Sequence, residues 1–235
     1  MDRPDFDFDK VHIARRVQHA VTGIVLLAIS HIIQPYPAGC LLLLLATVAF
    51  YIIHMKRIHD RNWDEWYIDN FGSLLRNHER GEWDTLFKER RKTVPSVPGA
   101  FYFLLGAFLT TLLFPATVAR TSVLVLSISD PIAGLVGSSF TNKKYNIPWK
   151  QLFARSNAVP TRGPTLAGSL GFLLSAILCT YVYIPSNISI EGISLSFQSR
   201  LIIGVFASIV EAVGVVDDNL LIPLVVGFFI CIFNL

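Results

Sequence analysis

Seven apolar stretches that are long enough, or nearly long enough, to cross a lipid bilayer are the strongest constraint on the fold of this chain. A transmembrane helix needs roughly 20 mainly apolar residues, with a range of about 17 to 25. We take these stretches as predicted spans, at residues 17–33, 38–53, 99–115, 118–140, 165–184, 201–216 and 220–235. We therefore predict an all-α, polytopic transmembrane helical bundle that forms a single integral membrane domain over residues 1–235.

The composition supports this prediction, because the chain has too little charge to cover a surface that faces water. Of its 235 residues, 52% are hydrophobic and 16% are charged, whereas soluble domains carry about 25% charged residues. A soluble enzyme, a nucleic-acid-binding module and a disordered chain are all excluded on this ground. We expect the lipid bilayer as a partner and no nucleic acid, and the sequence leaves the oligomeric state open.

The basic residues predict the orientation of the bundle. The segment before the first span and the two long loops, residues 54–98 and 141–164, hold all 20 Lys and Arg except Arg120 and Arg200. These three segments fall on one side of the membrane if each span crosses once, and the positive-inside rule makes that side cytosolic. We predict a multi-pass protein with a cytosolic N-terminus, in the endoplasmic reticulum membrane if the chain is eukaryotic.

The first cytosolic loop contains aromatic and aliphatic residues that recur at steps of three and four. They are Trp63, Trp66, Tyr67, Phe71, Leu74 and Leu75. This spacing between charged positions predicts an amphipathic helix that lies in the membrane interface. Such a helix is either a membrane-surface anchor or a lid over a lipid substrate.

The fourth predicted span contains an ionisable residue, Asp130, well inside its apolar run. An ionisable side chain near the bilayer centre costs roughly 2.5 to 3.5 kcal/mol even on lenient insertion scales. Pro131 interrupts the helical hydrogen bonding, and Gly134 and Gly137 allow a backbone or a ligand to approach closely. We predict that Asp130 is catalytic or binds a metal ion; the alternative is a structural aspartate that caps a broken helix.

A set of oxygen-bearing residues closes the sixth predicted span and begins the turn to the seventh. Its members are Glu211, Asp217, Asp218 and Asn219. Carboxylate and amide oxygens are the ligands that Mg²⁺ prefers, and a bound cation would offset carboxylates that oppose the dipole of a helix C-terminus. The set therefore predicts a metal site, and the alternative is a solvated turn between two spans.

A glycine-rich stretch enters the fifth predicted span from the cytosolic side. It contains Arg162, Gly163, Thr165, Gly168 and Ser169. Backbone N–H groups and hydroxyls at a helix start can bind phosphate oxygens, although the stretch is not a Walker A loop because no Gly-Lys-Ser/Thr follows. The alternative is close helix packing of the Gly-x-x-x-Gly kind.

A fourth polar segment, Arg15-Arg16-Val17-Gln18-His19, lies at the cytosolic mouth of the first span. His19 is a candidate proton acceptor or phosphate donor; the alternative is an interfacial histidine beside a positively charged anchor. Three of these polar segments fall at or near the predicted cytosolic face, and Asp130 lies deeper in its span. Their convergence on one leaflet favours a common site.

Taken in order, these motifs resemble the CTP-dependent polyprenol kinases, a family that includes phytol kinase, dolichol kinase and CTP-dependent diacylglycerol kinase. The segments that carry the resemblance are Arg15-Arg16-x-x-His19, Ser129-Asp130-Pro131-x-Ala133, Gly163-x-Thr165-Leu166-x-Gly168-Ser169 and Glu211…Asp217-Asp218-Asn219-x-x-x-Pro223. The similarity extends over nearly the whole chain. Each motif is short, and the ordered set is the more specific signal.

The resemblance implies a membrane lipid kinase that transfers the γ-phosphate of CTP to the hydroxyl of a polyprenol, a phytol-type alcohol or diacylglycerol at the cytosolic face, with Mg²⁺ or another divalent cation. On this basis we assign Asp130, Asp218 and His19 as catalytic, with Asp130 or Asp218 as the base. The predicted metal ligands are Asp130, Glu211, Asp217 and Asp218. The predicted nucleotide- and phosphate-binding residues are Arg16, Lys143, Lys144, Arg162, Gly163, Thr165, Gly168, Ser169 and Asn219.

Two departures from the family pattern and two rival functions accompany this assignment. Pro164 stands where the family often has a lysine, and Ala167 where many members carry an acidic residue. A phosphatidate cytidylyltransferase-like enzyme would need a Lys-Asp near a Gly-Gly and a closing Asp-Arg-x-Asp, which the sequence lacks. A cation-coupled transporter would use Asp130 and Glu211 near the midplane, but the odd number of spans and the absence of an inverted repeat favour the kinase.

Overall fold

The structure is a computed structural model, and it describes residues 8–33, 36–83, 91–139, 165–185, 190–214 and 217–234. The described chain is almost entirely helical. Its helices are α1 (Phe8–Ile32), α2 (Tyr36–His59), α3 (Arg61–Phe71), the single turn α4 (Asn77–Arg80), α5 (Gly99–Leu113), α6 (Ala116–Ser139), α7 (Leu166–Tyr183), α8 (Phe197–Val213) and α9 (Asp218–Ile232). A 3₁₀ turn at Gly72–Leu74 follows α3.

The sequence did not predict the short pair of strands that the structure contains. Strand β1 (Glu82–Trp83) pairs antiparallel with β2 (Arg91–Thr93), with Glu82 opposite Thr93. Strands this short show no alternating pattern that a reader of the sequence could detect.

Each of the seven predicted spans coincides with a helix, and the helical bundle is confirmed. Among the described residues, α2, α6 and α7 are long and apolar enough to cross a membrane, while α5 and α9 are apolar but shorter. The number of crossings, the orientation and the cytosolic assignment of both loops stay predictions. The whole of the second loop, residues 141–164, lies outside the described residues.

Helix α6 is the centre of the bundle, in contact with α1, α5, α7 and α9. Its Val125 and Leu126 are fully buried against a core that includes Phe172 of α7 and Ile222 of α9. Large apolar side chains elsewhere point outward, among them those of α2. An apolar exterior around a packed core is what a lipid solvent permits, because lipid tails are as apolar as the side chains they contact.

A left-handed turn brings the end of α8 next to the start of α9. Gly214 ends α8 with a φ of +55°, a conformation that glycine adopts without steric cost. Asp217 then caps α9, where its Oδ1 accepts a hydrogen bond of 3.1 Å from the Asn219 backbone N–H. Glu211 and Asp218 are thereby held at the same end of the bundle.

The two arginines outside the basic segments bind helix ends at the opposite end of the bundle. The Arg120 guanidinium donates to Ser30 Oγ at 3.1 Å and also to the Ser30 carbonyl near the end of α1. Arg200 donates to the carbonyl oxygens of Ile184 at 2.6 Å and Leu195 at 3.0 Å. The Ser30 and Ile184 carbonyls lie at helix C-termini, where they lack partners within the helix and carry partial negative charge, so both cations have a structural role.

Candidate active site

Polar residues from α1, α4, α5, α6, α8 and α9 meet at one end of the bundle. The central contact is between α1 and α6, where His19 Nε2 lies 3.8 Å from Asp130 Oδ2. The His19 side chain is 14% exposed and that of Asp130 is 35% exposed. Phe103 of α5 packs edge-on against the imidazole, with ring centroids 4.8 Å apart. The histidine is thus held between an aromatic ring and a carboxylate.

The adjacent residues Arg15 and Arg16 lie on neighbouring faces of α1 and contact different helices. The Arg16 guanidinium lies against Gly134 of α6, where a Cβ would come within 2.7 Å of its Nε, and its Nη1 donates to Ser138 Oγ at 3.3 Å. Arg15 lies on the side of Gly99, where a Cβ would be 3.4 Å from its Nη2. Consecutive helical residues point about 100° apart, so the two guanidiniums reach different helices. Arg15 is four residues before His19 and lies on the same face of α1.

Arg15, which precedes the first predicted span, is a half-buried cation with several charged neighbours. Burial and the nearby Arg76 lower the pKa of its guanidinium, whereas the carboxylates of Glu79, Asp130 and Asp217 act in the opposite direction. Arginine keeps its charge in proteins. A fixed positive charge therefore stands next to the acidic residues of the site.

The backbone of Gly99 joins the start of α5 to two side chains from other parts of the chain. Glu79 Oε1 accepts a hydrogen bond of 3.0 Å from the Gly99 N–H, and Asn219 donates one of 3.2 Å from Nδ2 to the Gly99 carbonyl. Glu79 is 2% exposed and Asn219 is 4% exposed. Asn219, predicted as a nucleotide-binding residue, thus has a partner in the protein, and this contact gives it a positioning role.

Asp218 is the carboxylate whose surroundings most require a cation. It lies in the turn before the last predicted span, and its Oδ1 is buried with no hydrogen-bond partner among the described residues. Burial, followed by the carboxylates of Asp130, Glu211 and Asp217, raises the pKa of Asp218 to about 8. Its neighbour Asp217 has a pKa that burial also raises, although an ion pair with Arg76 Nη1 at 3.7 Å opposes the shift.

The predicted metal ligands do not form a complete coordination site made of protein side chains alone. Within the described ranges, no group of three or more His, Cys, Asp or Glu side chains is arranged to hold a metal ion. Mg²⁺ in nucleotide sites usually takes only one or two protein carboxylates, and substrate phosphates and water complete its octahedron. The unsatisfied oxygen of Asp218 fits that simpler arrangement.

The start of α7 packs against α6 one turn beyond Gly134. Thr165 Oγ1 accepts a hydrogen bond of 3.0 Å from the Gly168 N–H and caps the helix. The same hydroxyl lies beside Gly137, within 2.7 Å of where a Cβ would stand. Ser169 Oγ is buried without a hydrogen-bond partner in the described chain. Four other predicted phosphate-binding residues lie outside the described residues: Lys143, Lys144, Arg162 and Gly163.

Sequence reasoning missed Arg76 and Glu79, the residues that the α4 turn contributes to the site. Glu79 also accepts a hydrogen bond of 2.8 Å at Oε2 from the Arg76 N–H. The turn is anchored by Arg57 of α2, which donates to the Glu79 carbonyl at 3.2 Å and pairs with Asp64 of α3 at 2.9 Å. No local motif marks Glu79, because its importance depends on contacts with distant segments.

A cavity of about 460 Å³ extends from the polar end of the site between α1, α2, α3 and α5. Apolar side chains form most of its wall, including the predicted aromatic residues of α3 and the following turn, with Phe103. Its polar lining is Arg15, Gln18, His19, Thr22, Glu79, Gly99 and Asn219. The amphipathic helix predicted from Trp63 to Leu75 is present as α3 only as far as Phe71, and Leu74 and Leu75 follow in and after the 3₁₀ turn. The aromatic face of α3 covers an internal space.

Comparisons with known proteins give two informative similarities. The chain is 26% identical over 227 residues to the uncharacterized protein RP860 of Rickettsia prowazekii, an alignment that covers 95% of this chain and 94% of that protein. No family model and no solved structure matches the chain. It is 29% identical over 164 residues to CTP-dependent diacylglycerol kinase 1 of Schizosaccharomyces pombe, which covers 66% of this chain and 62% of that protein. This second relative is a member of the family that the sequence motifs resemble.

Proposed function

We propose that this protein is a multi-pass membrane lipid kinase that transfers the γ-phosphate of CTP to the hydroxyl of a lipid alcohol at the cytosolic face. The observation that carries the proposal is the meeting of His19, Asp130 and Asp218 beside two arginines at one end of the bundle. The similarity to a CTP-dependent diacylglycerol kinase supports CTP as the donor. In a eukaryote the site would face the cytosol from the endoplasmic reticulum membrane.

The acceptor hydroxyl is activated by His19. This histidine lines the cavity, whereas Asp130 lies behind it at 3.8 Å. His19 accepts the hydroxyl proton as the oxygen attacks the γ-phosphorus, and the bond from that phosphorus to the β-phosphate oxygen breaks, which releases CDP. The negative charge of Asp130, 3.8 Å from the imidazole, stabilises the imidazolium that forms.

The phosphates of CTP bind at the neighbouring face of α1, which contacts α6. Arg16 offers a guanidinium that can make paired hydrogen bonds to phosphate oxygens, and Gly134 leaves room for it. The start of α7 adjoins the same part of α6 through Thr165 and Gly137. In the sequence, Lys143 and Lys144 follow α6 closely, and Arg162 precedes Thr165, so these cations are proposed to complete the phosphate site.

Asp218 is the proposed protein ligand of a divalent cation, with Asp217 or Glu211 as a second carboxylate. When bound, Mg²⁺ would neutralise charge on the β- and γ-phosphates of the nucleotide. The rest of catalysis depends on position and charge, since phosphoryl transfer asks little covalent chemistry of the protein. Arg15 contributes a half-buried positive charge near the transferred group.

A phosphate-transfer assay tests the proposal. Purified protein receives γ-labelled CTP, or ATP as the control donor, with phytol, dolichol or diacylglycerol in separate reactions, with and without Mg²⁺. We expect transfer from CTP that depends on the metal. Absence of transfer to every alcohol by a folded preparation would refute the kinase and favour the transporter.

The Asp218→Asn variant tests the site. We expect it to remain folded and to lose at least about 10²-fold in rate, because removal of one group that stabilises transition-state charge costs 10²–10³-fold. Asp69→Asn is the matched control, since Asp69 is an exposed carboxylate of α3 outside the cavity lining. Full activity in Asp218→Asn would show that the carboxylate assignment is wrong.

A further inference from the structure

We infer that the cavity beneath α3 is the binding site of the lipid acceptor, and that it suits an alcohol with ester groups, of the diacylglycerol type, better than a simple prenyl alcohol. This inference rests on the proposed function. The cavity volume of about 460 Å³ lies within the range of about 300–1,000 Å³ found for small-molecule sites. It would hold the head and the first part of the chains, and the remainder would extend into lipid.

The position of the cavity identifies the acceptor as its occupant, and not the nucleotide. Its wall is mainly aromatic and aliphatic, from Trp63, Trp66, Phe71 and Phe103 among others. A triphosphate would be strongly disfavoured against such a wall, because an unpaired charge is costly to bury. Arg16, the candidate phosphate-binding cation on α1, does not line the cavity and faces α6. Donor and acceptor would therefore approach His19 and Asp130 along neighbouring faces of α1.

A row of polar side chains along α1 indicates what kind of alcohol the cavity receives. Arg15, Gln18, His19 and Thr22 all line it, at the i, i+3, i+4 and i+7 spacing of a single helix face. The row extends about 10 Å at 1.5 Å per residue. A prenyl alcohol has one polar group, for which His19 would suffice. The ester carbonyls of diacylglycerol need hydrogen-bond donors further along, and Gln18 and Thr22 can donate.

The lid over this site is α3, which is held at its far edge and not at the cavity. Arg57 and Asp64 are both fully buried and form the ion pair between α2 and α3. Trp66 and Phe71, in contrast, are 49% and 41% exposed although they line the cavity. The helix thus has a fixed edge, and its aromatic edge remains available to contact a lipid chain.

Steady-state kinetics with matched variants test the inference. Thr22→Val removes the hydroxyl at nearly constant volume, and Gln18→Leu removes the amide. Each should raise the KM for diacylglycerol about 3- to 10-fold, which corresponds to the loss of one hydrogen bond, and leave the KM for CTP unchanged. Thr47→Val is the control, because Thr47 is a buried threonine of α2 whose hydroxyl bonds to the Leu43 carbonyl. Neither variant should change the KM for phytol.

A binding measurement separates this inference from the proposed function. Diacylglycerol with brominated chains is added without nucleotide, and quenching of tryptophan fluorescence is followed in the wild-type protein and in a Trp63→Phe, Trp66→Phe variant. We expect quenching that the double variant largely loses. Transfer to phytol or dolichol but not to diacylglycerol would overturn the inference and leave the kinase intact. So would an unchanged KM for diacylglycerol in both α1 variants. Quenching with no transfer from CTP would instead refute the proposed function.

Discussion

Replacement of Gly106 by alanine is a sharp test of how the fold positions the site. Gly106 lies on α5 where the start of α9 crosses it. A Cβ at this position would overlap the backbone carbonyl oxygen of Asn219 and would lie 3.2 Å from Leu220 Cα. Both obstacles are backbone atoms, so no side-chain rotation can relieve the overlap. The two helices must separate, and Asp218 moves with the start of α9.

The size of the effect follows from this geometry. Ordinary van der Waals contact begins near 3.4 Å, so α9 has to move by about 1 Å, and a misplacement of that size can cost about 10²-fold in rate. Overpacking costs about 1–3 kcal/mol of the free energy of unfolding. The higher helix propensity of alanine raises the free energy of unfolding by about 0.5–1 kcal/mol and partly offsets this cost. We expect Gly106→Ala to be destabilised by about 1–2 kcal/mol and to lose most of its phosphate transfer.

The matched control is Gly39→Ala, the same substitution in α2. A Cβ on Gly39 meets no atom within 4 Å, so alanine should leave activity unchanged and stabilise the helix slightly. The assays are thermal unfolding in detergent and transfer from labelled CTP to diacylglycerol, normalised to folded protein. If Gly106→Ala has the activity and stability of Gly39→Ala, the close approach of α5 and α9 does not exist as described.

Two further substitutions test other contacts. Asp64→Asn removes the nearest counter-charge of the fully buried Arg57 and should lower the free energy of unfolding by about 3–5 kcal/mol; an unchanged thermal transition would contradict the buried pair. Gly134→Ala displaces the Arg16 guanidinium, whose Nε would be 2.7 Å from the new Cβ. Because that side chain is flexible, stability should change by less than about 1 kcal/mol, while the KM for CTP rises about 10-fold. An unchanged KM would exclude Arg16 from nucleotide binding.

The helices could be predicted from the sequence because a helix that spans a bilayer needs a long run of apolar residues. The run predicted at residues 99–115 corresponds to α5 (Gly99–Leu113), and the run at 165–184 corresponds to α7 (Leu166–Tyr183). The polar residues inside and beside these runs stand out for the same reason. Asp130 was recognisable as a costly placement and His19 as a candidate proton acceptor, and the structure brings them together.

The partners of those residues could not be predicted, because they depend on which helices are neighbours. Nothing local in the sequence connects Glu79 to Gly99, yet their hydrogen bond of 3.0 Å orders the start of α5. The helical spacing of α1 does predict one difference between neighbouring residues. Arg15 and Arg16 are adjacent on α1 and point about 100° apart, so Arg15 lines the cavity while Arg16 contacts α6.

The backbone of Gly99 connects two distant segments, because its N–H donates to Glu79 and its carbonyl accepts from Asn219. Glu79 belongs to the segment anchored to the lid helix α3 through Arg57, and Asn219 follows the candidate cation ligand Asp218. In the proposed kinase, a lipid that displaces α3 would therefore also displace Asn219 and, next to it, the proposed metal ligand Asp218. An enzyme linked in this way can keep its phosphate donor out of register while water alone fills the cavity, and thereby avoid wasteful hydrolysis of the nucleotide.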